Sequence, residues 1–401
     1  MNSPESLPLS VAQTLTPEWA ACVETLCAQW AQTAVARDAA GGHAAVERQA
    51  LRDSGLLRLS VPRSQGGGGA GWPVVCEVLR RFARVDSALA HLFGFHHLQL
   101  VSHALYGTAE QYRRCTEQTV TQQLFWGNAL NPLDQRLLAV EVDGGFELNG
   151  VKSYASGSVG SDRLLLSGWH VPTQTTVIGA VPTNAPGVTV RGDWNAFGQR
   201  QTDSGTVQFE QVFMPDADVL IRPGAQATPR TTLRSQFAQS VLVNIYLGLA
   251  EGALAEARQQ IVQTPKPWLT SGVAAAVDDP FIQHRYAELQ LLVRPAQLLA
   301  DAAALKLQAG WERGSALTAE ERGEAALAVA EAKVLAHRAA MEVSSQFFEL
   351  AGARATSRQQ GLDRFWRNAR VHTLHDPVDY KLRDIGRHAL TGRWPEPSPY
   401  S

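Results

Sequence analysis

Leu138-Ala139-Val140-Glu141-Val142-Asp143-Gly144-Gly145-Phe146-Glu147-Leu148 is the stretch that decides the fold. Two short apolar runs flank Asp-Gly-Gly, which supplies the left-handed backbone a tight hairpin turn requires. The spacing therefore predicts two antiparallel strands, Leu138–Val142 and Phe146–Leu148. Asn149-Gly150 predicts another tight turn before a strand over Val151–Ser156. Further apolar runs at Leu164–Ser167, Thr176–Val181 and Gly205–Phe213 are separated by Gly, Pro and Asn. Short strands at this spacing predict a compact β barrel or sandwich near Gln122–Val219.

On both sides of this zone the hydrophobic period changes to that of a helix. Trp19, Cys22, Val23, Leu26 and Trp30 recur at three and four, and helical patterns follow at His43–Ser54, Trp72–Val85 and Ser87–Leu105. Beyond Thr228 long helical patterns cover Leu233–Val262, Pro280–Gly310, Thr318–Ala351 and Asp376–Leu390, which suggests an antiparallel four-helix bundle. Pro295 predicts a kink or break in the second, and Thr318 with Glu321 reads as a capping box for the third. Asp376 before Pro377 reads as the N-cap of the last. The fold class is mainly α with a central β domain. Its units are expected at 1–118 (helical), 119–226 (β) and 227–401 (bundle).

Composition narrows the function. The 401 residues carry 36 Lys+Arg against 38 Asp+Glu with no long run of one sign, so neither nucleic acid nor an anionic membrane is expected as a partner. No basic start with an apolar core resembles a signal peptide, and no membrane span is expected. Cys22, Cys27, Cys76 and Cys115 form no CxxC pair and read as small hydrophobes in a reducing, cytoplasmic compartment.

Several motifs invite chemistry. Gln65-Gly66-Gly67-Gly68-Gly69 lacks the Gly-Lys-Ser/Thr of a phosphate loop and a preceding strand, so it reads as a flexible turn between helices. No GxGxxG opens a βαβ unit, and no Gly-x-Ser-x-Gly elbow surrounds a serine. The segment Arg370-Val371-His372-Thr373-Leu374-His375-Asp376-Pro377 could ligate a metal. Helical diiron sites, however, use Glu-x-x-His, and none of the eleven histidines follows a Glu by three. A metal-free acid/base role is the preferred reading. Taken alone, His91 reads as a satisfied core or surface histidine and Trp194 as a core residue, while Asn128 and Ser156 are ambiguous.

Other segments carry a resemblance. They are Gly66-Gly67 after Val61-Pro62-Arg63, His91-Leu92-Phe93-Gly94, Trp126-Gly127-Asn128-Ala129 and Gln201-Thr202-Asp203-Ser204-Gly205. Asn244-Ile245-Tyr246-Leu247-Gly248, Gln346 to Arg354, Phe365-Trp366-Arg367-Asn368 and Leu374-His375-Asp376-Pro377 complete the set. In this order the chain resembles the acyl-CoA dehydrogenase superfamily over essentially its whole length. Within it, the chain is most similar to the two-component flavin monooxygenases of the dibenzothiophene monooxygenase type. The resemblance implies an N-terminal helical domain, a middle β barrel and a C-terminal four-helix bundle, assembled as a homotetramer.

A carboxylate separates dehydrogenation from oxygenation, because a dehydrogenase of this fold abstracts an α-proton with a Glu near the flavin. The position matching that Glu reads Leu374-His375-Asp376, and the other location used, Thr231 to Ala250, holds no Asp or Glu. As a helix cap, Asp376 would have its lone pairs committed. The resemblance instead implies reduced FMN from a separate NAD(P)H:flavin reductase, reacting with O2 at C4a to give a peroxide. His91, Ser156 and His375 would be catalytic, and a small apolar aromatic or organosulfur compound would be oxygenated. Asn128, Tyr154 and Trp194 would line the flavin pocket, with His372 and Asp376 in support. Phe95 stands where relatives have Tyr, and Lys266 where they have Arg for the flavin phosphate. The alternatives are an FAD-dependent acyl-CoA dehydrogenase or oxidase, and a non-enzymatic descendant of the fold.

Overall fold

Thr16 caps the first helix by accepting the Trp19 N–H, and Pro17 starts it with a ring suited to the first turn. The computed structural model describes residues 14–263 and 267–401. Helix α1 (Pro17–Ala40) buries Val23, Leu26 and Trp30, and α2 (Ala45–Asp53) follows. Helices α3 (Trp72–Val85) and α4 (Ser87–Tyr106) meet at Asp86, whose Oδ1 accepts the N–H groups of Ala88 and Leu89 at 3.0 Å. Helix α5 (Ala109–Thr121) opens with a Thr108/Gln111 capping box. Phe82 lies between the rings of Trp30 (4.6 Å) and Phe93 (5.3 Å), joining three helices. Truncating it to Ala costs about 3–5 kcal/mol. The run of glycines at 66–69 is not a flexible turn. Gly67, Gly68 and Gly69 donate their N–H groups to Pro62, Arg58 and Val61 carbonyls, closing it.

The β unit comprises β1 (Trp126–Ala129), β2 (Leu137–Val142), β3 (Gly145–Lys152), β4 (Arg163–His170), β5 (Thr175–Pro182), β6 (Val188–Val190), β7 (Val207–Pro215) and β8 (Val219–Ile221). The sheet order is β6-β7-β3-β2-β4-β5-β8, with β1 alongside β4. Val142 pairs with Gly145, so Asp143-Gly144 is the hairpin turn the sequence predicts. Asn149-Gly150 is not a turn. β3 continues through it, and the register against β7 shifts between Leu148 and Gly150, a bulge that absorbs the extra residue. Gly150 has φ 130°, and a Cβ there would lie 2.0 Å from the Arg136 carbonyl oxygen. Although three strands separate β5 from β7, a Cβ on Gly179 would lie 2.5 Å from Met214 Sδ. The sheet thus curls over its own core of Phe146, Leu148, Leu164, Val177, Phe209 and Met214.

The C-terminal helices are α6 (Pro229–Gln263), α7 (Pro280–Arg313), α8 (Ala319–Ala351), α9 (Arg364–Thr373) and α10 (Asp379–Thr391). Helix α6 is long and apolar enough to cross a membrane by length and composition, yet 89% of its most apolar window is buried inside the protein. Helix α7 runs through Pro295 unbroken, and both halves of the Thr318/Glu321 capping box form on α8. Helix α9 is too short and too basic to stand out by periodicity. The last helix begins at Asp379, and its N-cap, Val378, makes no side-chain bond. Asp376 is therefore not a helix cap.

Candidate active site

Helix α4 is buried on every side, its polar residues included. A Cβ on Gly94 would meet Leu79 of α3 at 2.3 Å and Val241 of α6 at 2.7 Å, so α4 lies close between them. His91 and Phe95, one turn apart, stack at 4.0 Å with 14° between their planes. From α9, His372 stacks on His91 at 4.9 Å and 29°. Among the described residues, both ring nitrogens of His91 and Nδ1 of His372 are buried without a hydrogen-bond partner. Burial pushes His91 down to about 3, with His375 adding to the effect. His372 is also held well below its ordinary value, by burial first and then by His91, His375 and Lys333. Both rings are neutral near pH 7, each with one donor and one acceptor to offer. Leaving such groups unmet is costly, which marks this pair as a place for a bound polar atom.

His375 lies in the turn after α9, its N–H bonded to the His372 carbonyl at 3.0 Å. Its side chain is half-exposed, and Tyr400 packs edge-on at 5.5 Å. Its Nδ1 is 2.9 Å from Asp376 Oδ1. That same oxygen accepts from the buried Lys333 Nζ of α8 and, at 3.5 Å, from Gln239 Nε2 of α6, while Lys333 also donates to Gln239 Oε1. Burial raises the Asp376 carboxyl, but the His375 hydrogen bond and Lys333 outweigh it and hold the group below the usual carboxylate range. The lone pairs expected to serve backbone N–H groups serve a buried cation and a histidine instead. Tyr246 Oη donates to the His372 carbonyl at 2.7 Å and braces α9 against α6.

The β unit contributes the other expected residues. Tyr154 adopts φ 57°, is 69% exposed, and meets Trp194 edge-on at 6.1 Å. Ser156 and Asn128 are joined through backbone, Asn128 N–H to the Ser156 carbonyl at 2.9 Å, and Gln99 of α4 donates to Asn128 Oδ1 at 3.1 Å. A Cβ on Gly157 would lie 3.2 Å from Leu92, so the Ser156 loop rests on α4 beside His91. The Ser156 hydroxyl bonds Ser204 Oγ at 2.8 Å rather than a histidine. From Ser204 a chain runs through Thr202 Oγ1 (2.8 Å) to the Gln199 carbonyl (3.0 Å), which also accepts Trp194 Nε1 at 2.8 Å. The Gln199 side chain then donates to Ser87 Oγ of α4 at 3.0 Å and to the Asn368 carbonyl of α9 at 3.2 Å. Asn368 Oδ1 accepts the Gln199 N–H at 2.6 Å. Ser87 and Asn368 each precede a stacked histidine, His91 and His372, by one helical turn. One hydrogen-bonded chain thus connects Ser156 to the bases of both histidine helices.

Lys333, Gln239 and Gln199 do not emerge from motif reading. Lys333 did leave a signal. Ala326, Val329, Lys333, Ala336, Ala340, Val343 and Phe347 recur at three and four, and all are buried, so a lysine stands on the apolar stripe of α8. Phe95, read as a lost hydroxyl, is a stacking partner for His91. Lys266 lies outside the described residues.

A flavin fits this donor set. There are neutral imidazoles with unmet nitrogens, the hydroxyl of Ser156, the amide of Asn128, the rings of Tyr154 and Trp194, and a carboxylate already held by Lys333. Comparison with known proteins agrees. Residues 17–123 match the acyl-CoA dehydrogenase N-terminal domain and residues 240–380 the acyl-CoA dehydrogenase C-terminal domain. The chain is 44% identical over 402 residues to the probable FMNH2-dependent monooxygenase SfnC of Pseudomonas putida, covering 100% of both. The solved methanesulfinate monooxygenase MsuC of Pseudomonas fluorescens superposes with TM-score 0.93 at 44% identity, over 96% of this chain and 100% of that one. The dibenzothiophene monooxygenase TdsC of Paenibacillus sp. A11-2, in complex with FMN and indole, gives TM-score 0.91 at 38% identity over 95% and 99%. With relatives this similar over their full length, the chain belongs to the acyl-CoA dehydrogenase superfamily and, within it, to the reduced-FMN-dependent monooxygenases.

Proposed function

We propose that this enzyme transfers one oxygen atom of O2 to a small, largely apolar aromatic or organosulfur compound. The other atom leaves as water, and reduced FMN from a separate NAD(P)H:flavin reductase supplies the two electrons. One observation carries the reading: where a dehydrogenase of this fold needs a free carboxylate base, Asp376 is bound by Lys333 and His375, beside neutral histidines with unmet nitrogens. Relatives named for methanesulfinate and dibenzothiophene support the organosulfur class.

When bound, reduced FMN provides the electron-rich centre that O2 meets. The chain's own residues manage protons and water. His375 exchanges a proton at Nε2, because Nδ1 is engaged by Asp376. His91 offers an uncharged ring to a developing negative oxygen, and the Ser156 hydroxyl adds a donor. Asn128, Tyr154 and Trp194 line the flavin pocket, Phe95 and His372 sandwich His91, and Asp376 orients His375. Lys266 would neutralise the FMN phosphate. Free thiols at all four cysteines support a cytoplasmic location, and the family resemblance supports a homotetramer. We assign the units 1–118, 119–226 and 227–401, noting that α5 extends to Thr121.

The test supplies the enzyme with acyl-CoA and an artificial electron acceptor, and separately with an organosulfur panel, NADH, a flavin reductase and O2. The expected outcome is no α,β-dehydrogenation and an oxygenated product from the panel. Turnover of any acyl-CoA would restore the dehydrogenase reading.

A further inference from the structure

We infer that Lys333 is a positioning residue for His375, acting through the Asp376 carboxylate to fix which ring nitrogen carries the proton. The inference rests on the oxygenase reading for its consequence, but its geometry stands independently. Lys333 is fully buried on the apolar stripe of α8, some forty residues from His375 in sequence, and touches neither His375 nor solvent. Its ammonium has donors only, and it donates to Asp376 Oδ1 and to Gln239 Oε1. The Gln239 amide is thereby oriented with its NH2 toward Asp376.

Asp376 Oδ1 consequently meets groups from three elements: the Lys333 and Gln239 donors of α8 and α6, and the His375 ring. The Lys333 ammonium against that oxygen keeps the carboxylate ionised. An ionised carboxylate can only accept, and His375 Nδ1 must then be the donor. In the neutral ring this leaves Nε2 with a lone pair, on a half-exposed side chain. A lysine on a buried stripe is costly unless it is paired. Here its pairing determines the state of a histidine that faces the site. Without Lys333, burial favours a protonated Asp376 carboxyl, which can donate to His375 Nδ1 and leave the ring proton on Nε2. The ring would lose the Nε2 lone pair that accepts and returns a proton.

The test uses flavin-free enzyme labelled with 15N-histidine, with ring nitrogens followed through their couplings to carbon-bound protons. The His375 signals are identified by their absence in His375→Gln. The neutral ring of the wild type should show Nδ1 protonated and Nε2 bare. Lys333→Met should move the proton of the neutral ring from Nδ1 to Nε2. Where that variant folds poorly, Lys333→Met/Asp376→Asn removes both charges, and such neutral replacements are tolerated far better than a half-broken pair. In the double variant the fold should recover, yet the Nδ1–H form should no longer dominate. Product per reduced FMN consumed should fall about tenfold or more in either variant, with substrate KM unchanged within roughly twofold. Retention of the wild-type tautomer in both variants would overturn the inference, as would recovery of product yield together with stability in the double variant. A wild type that shows the predicted tautomer but yields no oxygenated product would instead refute the functional reading and leave the positioning role intact.

Discussion

Replacing Gln199 with Ala tests whether the loop from the β unit sets the spacing of the histidine helices. The substitution removes two donated hydrogen bonds, to Ser87 Oγ at 3.0 Å and to the Asn368 carbonyl at 3.2 Å. It leaves the Gln199 backbone bond to Asn368 Oδ1 in place. Ser87 is 1% exposed and Asn368 7%, so water cannot readily replace the lost donor. Each buried group left unmet costs about 1–3 kcal/mol. Gln199 Oε1 already has no partner among the described residues, and its removal offsets part of that cost. A net loss of about 2–4 kcal/mol follows. With an unfolding entropy of about 2.1 cal/mol/K per residue over a chain this size, the melting midpoint should fall by about 2–5 °C. Function should suffer more than stability, because Ser87 and Asn368 lie one turn from His91 and His372. The assay pairs thermal denaturation with the ratio of oxygenated product to hydrogen peroxide. A variant with an unchanged midpoint and unchanged ratio would refute the bracing role of Gln199.

Two further outcomes follow. His375→Ala should lower product by about 100-fold or more while reduced FMN is still consumed and hydrogen peroxide accumulates, as measured by chromatography and a peroxidase-coupled assay. His91 titrates near 6.5 when unfolded and about 3 when folded, so the unfolded state binds its proton first as pH falls. His91 should therefore cost the fold stability progressively from about pH 6.5 down to about 3. Urea unfolding of His91→Phe should show a shallower loss over that window than the wild type, and an identical slope would contradict the assignment.

The hairpin at Asp143-Gly144, the capping box of α8 and the helical texture on both sides were legible because each depends on neighbours in sequence. Asn149-Gly150 misled because the same dipeptide serves a turn or a bulge. Only pairing with β7, a strand nearly sixty residues away, makes it a bulge. Asp376 misled for a similar reason. A carboxylate before Pro satisfies every local rule for a cap, but a buried lysine on another helix competes for it and prevails. His91, His372 and His375 could be named from motifs, whereas their mutual stacking and their unmet nitrogens are products of packing. Gln199 and Lys333 carry no motif at all. Their roles are defined by what they bridge.

The most direct test of the oxygenase assignment is mass spectrometry of product formed under 18O2, with the enzyme, FMN, a flavin reductase, NADH and an organosulfur or indole-like substrate. One heavy oxygen should appear in the product only when enzyme and reduced flavin are both present, and none should enter from labelled water. Product carrying oxygen from water, or product lacking new oxygen altogether, would contradict the oxygenase assignment.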